Sequence, residues 1–196
     1  MKNKTDTKRS LIDATKTLLR ENEVFTVKEI SQRAFTNVAA INYHFGDKNS
    51  LIIAAMDELL EEFKQEIITR FSREFETAES ALEDALQFLL ETYYKYKGAI
   101  KYILLFDNPD LQPRLVESFF LGSEFTAAFA QRISDITGET DADRLFYRLS
   151  VTVSALLLPL LIEGKDSSGQ DKLSLTALQE PENKNAFISV VMKLFQ

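Results

Sequence analysis

No cysteine occurs in this chain of 196 residues, and only one histidine, His44. The first absence excludes disulfides, cysteine-ligated zinc, iron–sulfur clusters and a thiol nucleophile. The second leaves one candidate for imidazole chemistry and no His-rich metal site. Glycine is scarce at 6 residues, less than half of the usual ~7%. Apart from Gly164 and Gly169, no two glycines lie within ten residues of each other. The phosphate-cradling patterns GxGxxG and GxxxxGKS/T are therefore missing. Long hydrophobic runs are missing too: Val151 to Ile162 is broken by Thr152, Ser154 and Pro159 and is too short to cross a bilayer. The N-terminal MKNKTDTKRS is polar, without the apolar stretch of a secretory signal. A cytoplasmic protein with no membrane partner, no metal and no cofactor is the expectation.

What is present is globular in composition, 45% hydrophobic and 27% charged. Few glycines, 4 prolines and long periodic stretches point to an all-α fold. The net charge of −7 is unevenly spread. Residues 1–50 hold nine Lys/Arg against six Asp/Glu, whereas the rest of the chain holds fourteen against twenty-four. An acidic chain usually argues against nucleic acid, but a basic head on an acidic body reopens that partner.

Within the head, Leu11, Ala14, Thr15, Leu18 and Leu19 form one buried stripe on a helix expected over about residues 7–20. Thr26 with Glu29 three residues on forms a capping box, opening a short helix whose inward face is Val27, Ile30 and Ala34. Asn37 is a good N-cap for a second short helix, Val38 to Phe45, which Gly46 ends. Asp47 or Asn49 then caps a long helix over about 48–75. Two short helices after a longer one make a helix-turn-helix in a three-helix bundle. The second short helix sharpens this reading. Ile41 and Phe45 turn inward, leaving Val38, Ala39, Asn42 and Tyr43 outward, a poor solvated face. In a major groove, methyl groups meet thymine methyls and an Asn amide can bond adenine.

The run Thr26-Val27-Lys28-Glu29-Ile30, followed by Asn37-Val38-Ala39-Ala40-Ile41-Asn42-Tyr43-His44-Phe45-Gly46-Asp47-Lys48, resembles the DNA-binding head of TetR-family transcriptional regulators over roughly residues 8–56. The resemblance implies that Lys28 lies beside a phosphate or a guanine edge. It implies that Val38, Ala39, Ala40 and Asn42 face bases, with Asn37 at the head of the same helix. Tyr43, His44 and Lys48 would hold phosphates, Lys48 near a helix N-terminus that favours an anion. Phe35 departs from the family, which usually has glycine there, and leaves the turn's conformation open. Taken singly, His44 also fits a structural histidine, Tyr43 fits packing and the basic residues fit a solvated face.

The expected body is helical throughout, about nine helices in all. Residues 1–50 are expected to be the head and, as the resemblance implies, 51–196 a ligand-binding and dimerisation bundle. Glu58 to Glu66 reads as the exposed face of the long helix. Further helices are expected over 80–97, 97–106, from Asn108 with Pro109 at its first position, within 112–136, over 141–162 and over 183–195. Residues 163–185 read as a flexible connection. The aromatics Phe88, Tyr93, Tyr102, Phe106, Phe119, Phe120 and Phe125 fit either ordinary core or, as the family implies, a pocket for a small, largely apolar effector. Val151, Ser154, Leu158 and Leu161 step along one helix, and Phe187, Val190, Val191 and Leu194 along another. Such faces suit close packing, within one subunit or, as in the family, across a homodimer interface.

The exposed face of the second short helix and the resemblance point to a sequence-specific transcriptional regulator bound to palindromic double-stranded DNA; that it is a repressor released by its effector is what the resemblance alone implies. Two other classes compete. An enzyme needs an acid, base or nucleophile constellation, and Asp107, Asp110, Glu117 and Glu124 show no pairing that spacing singles out. A helical protein-interaction module with a non-functional DNA-binding head is the alternative.

Overall fold

A computed structural model describes residues 4–21, 24–105, 124–162, 164–165, 171–173 and 180–195. The fold is all-α, with nine α-helices among the described residues: α1 (Lys4–Glu21), α2 (Val27–Arg33), α3 (Val38–Phe45), α4 (Lys48–Phe71), α5 (Ala78–Lys95), α6 (Lys97–Leu105), α7 (Glu124–Thr137), α8 (Ala142–Ile162) and α9 (Pro181–Met192). Contacts divide the chain into two compact units, Met1–Glu66 with Lys95–Leu121, and Ile67–Tyr94 with Gly122–Gln196.

The first unit is built on the α1 stripe. Leu11, Ala14, Thr15, Leu18 and Leu19 are all buried, and α1 packs on α2, α3 and α6. Local chemistry fixes where the short helices begin. The Glu29 amide donates to Thr26 Oγ1 at 3.2 Å, and the Thr26 amide donates back to Glu29 Oε2 at 2.7 Å, so each side chain satisfies a backbone donor the helix leaves free. Asn37 Oδ1 accepts the Ala40 amide at 2.9 Å and opens α3. Gly46, at φ 84°, ends α3 in a conformation that favours glycine. Asp47 Oδ1 then accepts the Ser50 amide at 2.7 Å and caps α4, which stops at Phe71, earlier than the periodicity suggests.

The second unit gathers rings around Phe71, whose centroid lies 6.0 Å from Phe88, 6.3 Å from Phe125 and 6.4 Å from Phe129. Arg70 Nε donates to Asp84 at 2.7 Å beside them, with both side chains mostly buried. At α5, Thr77 and Ser80 cap reciprocally through their hydroxyls. The region expected to be a flexible connection differs in part from that reading. Gly164–Lys165 (β1) pairs antiparallel with Asp171–Leu173 (β2) across a bulge. The last helix opens at Pro181, where a missing N–H costs nothing in the first turn. It closes as a 3₁₀ turn over Lys193–Phe195 rather than continuing as α-helix. The helix expected from Asn108 and Pro109, and the first part of the 112–136 stretch, lie outside the described residues. Among the described residues, no helix is long and apolar enough to cross a membrane.

Candidate nucleic-acid interface

Ile41 anchors α3, with 1% of its surface exposed. Its burial dictates what the rest of a two-turn helix can show, because positions three and four apart share a face. Val38 and Asn42 make one outward row, Ala39 and Tyr43 the next; all four are exposed, Val38 to 41% and Tyr43 to 69%. Ala40 and His44 are half-buried. The His44 ring meets Tyr43 edge-on at 5.0 Å, so the two rings brace each other. Phe45 is half-buried rather than wholly internal, and the Lys8 ammonium lies 5.7 Å from the centre of its ring. Lys28 is exposed near the start of α2. Asn37 is exposed, but its side-chain oxygen is spent on the α3 cap.

Lys48 has an internal task. Its ammonium donates to the Phe25 carbonyl and lies 5.0 Å from the centre of the Phe25 ring. Burial pushes its pKa below the usual lysine range, against the pull of Glu29. This bond ties the start of α4 to the segment leading into α2, and it occupies the charge that the family resemblance assigns to a phosphate.

Phe35 settles the turn. It adopts φ 53°, the left-handed conformation, with its ring 86% exposed. The turn between α2 and α3 therefore keeps a left-handed conformation although its residue is not glycine.

The acidic stretch of α4 is not the plain solvated face expected of it. Glu58, Glu62 and Glu66 stand at i, i+4, i+8 and face cations from α1 and α5. Arg9 Nη1 pairs with Glu58 at 2.9 Å, and Lys16 Nζ bridges Glu58 at 3.0 Å and Glu62 at 2.5 Å. Arg20 pairs with Glu62, and Lys95 with Glu66, whose Oε1 also accepts the Tyr96 hydroxyl at 2.9 Å. Only 8% of the Lys16 side chain is exposed. Burial works to lower its pKa, but the hydrogen bonds and charges of Glu62 and Glu58 outweigh it and hold the value above the usual range. For Glu62, burial pushes upward, and Lys16, Arg20 and Lys95 together prevail and hold it below the ordinary carboxylate value. The matching signal in the sequence was the cation row Arg9, Lys16, Arg20, at i, i+7, i+11 on α1.

The remaining expected sites separate. Phe88 and Phe125 are buried in the ring cluster about Phe71, and Tyr93, buried in the same unit, has its phenol pKa pushed up by desolvation. Tyr102 belongs to the other unit, where it stacks on Phe25 at 6.4 Å. Phe106, Phe119 and Phe120 lie outside the described residues. Val151, Ser154 and Leu158 are exposed on α8, as are Val190 on α9 and Leu194 just beyond it; Phe187 is half-buried. Val191 is buried within its own chain. The side chain of Leu161 is outside the described residues.

No protein-family model matches the chain, and no curated protein sequence matches it. Solved structures do. A TetR-family transcriptional regulator from Streptomyces coelicolor superposes with a TM-score of 0.57 at 15% identity, covering 95% of this chain and 91% of its own. A structure from Mesorhizobium loti MAFF303099, provisionally assigned to the same family, gives 0.56 at 15% identity, covering 99% and 98%. At that identity the likeness is one of fold: over nearly its whole length, the chain is folded like a TetR-family regulator.

Proposed function

We propose that this chain is a TetR-family regulator that binds double-stranded DNA sequence-specifically through residues 1–50, as a homodimer on a palindromic operator. The observation that carries this reading is the outward face of α3. A helix anchored by Ile41 presents Val38, Ala39, Asn42 and Tyr43 to the outside, directly after a capped short helix and a tight turn. Water gains nothing from that face, whereas a major groove matches it in shape and chemistry. The whole-chain likeness in fold to TetR-family regulators supports the same reading. In it, Lys28, Asn37, Tyr43 and His44 position the head on the backbone, while Lys48 acts from within by holding the start of α4.

Selection from a random duplex pool by the purified protein, at near-physiological salt, tests this. The expected result is an enriched inverted repeat with half-sites about one helical turn apart. Lys28→Ala should weaken binding to the selected site and lower the slope of log affinity against log salt by about one. A folded protein that enriches nothing would count against the reading.

The finer part of the proposal is repression in the cytoplasm, relieved by a small apolar effector held in the body, residues 51–196. The buried rings Phe88 and Phe125, with Tyr93, support an apolar seat in the second unit. An effector shifts the DNA-binding equilibrium only by its difference in affinity for the two states. A compound that binds the body saturably and leaves operator affinity unchanged would remove it from consideration.

A further inference from the structure

Resting on the reading of α3 as the base-facing helix, we propose that the core of each operator half-site is built of A·T pairs, read through thymine methyl groups and one adenine. Guanine is recognised in the major groove chiefly by Arg or Lys donating to O6 and N7, and cytosine by Asp or Glu accepting from N4. From Asn37 to Gly46 the chain has none of these four residue types. Neither member of a G·C pair meets its usual partner on this helix.

With Tyr43 and His44 assigned to the DNA backbone, two kinds of group remain on the outward face for the bases. Val38 and Ala39 are exposed and Ala40 half-exposed, a patch of methyl groups that fits the 5-methyl of thymine. Asn42 supplies one donor and one acceptor, the pair that matches N7 and N6 of adenine. Its amide makes no hydrogen bond among the described residues, whereas the Asn37 side-chain oxygen is committed to the Ala40 amide. The nearest cations do not change the balance. Lys48 is held by the Phe25 carbonyl, and Lys28 stands on α2. A guanine contact is thereby confined to the flank that α2 reaches.

The test starts from the half-site enriched from the random pool. Replacing its thymines one at a time by uracil removes a methyl group and keeps the pairing. At each contacted position affinity should fall about fourfold, the worth of one buried methyl. Replacing the contacted adenine by 7-deazaadenine removes the N7 acceptor and should cost ~5- to 150-fold. That loss should disappear in Asn42→Ala, which is exposed and should keep the parent's helicity. A half-site with G·C pairs at its core, or one indifferent to uracil, overturns this proposal and leaves the regulator reading standing. A pool that yields no repeat overturns both.

Discussion

Phe35 is costly to the fold twice over. A residue with a Cβ at φ 53° gives up about 1–2 kcal/mol relative to a right-handed conformation, and a ring left 86% exposed recovers little by burial. Glycine relieves that strain while costing about 0.5–1 kcal/mol of unfolded-chain entropy. Phe35→Gly should therefore stabilise the protein by up to about 1 kcal/mol, seen as a higher denaturation midpoint in urea. Lower stability would mean that the ring packs in solution. The ring borders a crevice of about 290 Å³ shared with Asp13, Thr17 and Arg33. This position also marks a limit of sequence reading. Steric rules flag a Phe in a turn that favours glycine, but whether the backbone yields or the residue strains is decided by the bonds around it. Here Phe35 N–H donates to the Gln32 carbonyl and Thr36 N–H to the Ser31 carbonyl, and together they hold the turn.

At the scale of elements, the ladder on α4 governs how the first unit responds to pH. Glu62 titrates below its ordinary 4.5 in the folded protein. Its contribution is complete above that value and is lost as the pH falls through the depressed one. Lys16 titrates above its ordinary 10.5, so its contribution is complete below that value and fades as the pH rises beyond it. Glu62→Gln should flatten the loss of stability as the pH falls below about 5, followed by denaturant titration at each pH. Lys16→Met leaves Glu58 and Glu62 facing each other without their buried cation. It should cost about 1–3 kcal/mol, below the full penalty of a buried pair because both carboxylates are about a third exposed. An unchanged midpoint would show the ladder to be mere surface charge. Thr26, Asn37 and Asp47 act within three residues, so their caps could be read directly from the sequence. Lys16 meets Glu58 across 42 positions, and the acidic run alone looks like any solvated helix face. The β1–β2 ribbon escaped for a related reason: its strands are two and three residues long and carry no alternation to read.

The molecule as a whole keeps an apolar row in the open. Val151 and Leu158 on α8, with Tyr147 one turn earlier, are each more than half exposed, and so is Val190 on α9. Exposed apolar rows of this kind mark association surfaces, and here a second copy of the chain is the proposed occupant. Sedimentation should find two copies per particle. Leu158→Asp, at a side chain 58% exposed, should give single copies with unchanged helicity. A parent protein that sediments as one copy at micromolar concentration would reject the homodimer.

Much of the head's positive charge is spent within the first unit. Arg9 serves Asp13 and Glu58, Lys16 and Arg20 serve Glu62, Arg33 serves Glu21, and Lys48 serves a carbonyl. Attraction to arbitrary duplex comes almost wholly from counterions displaced by unspent cations, at a slope of about 0.9 per phosphate neutralised. On the proposed DNA-binding reading, a head built this way should have little grip on the wrong sequence. Few copies should then be held on irrelevant DNA, and the search for an operator should proceed more by free flight than by sliding, which a shallow salt dependence of binding to unrelated duplex would show.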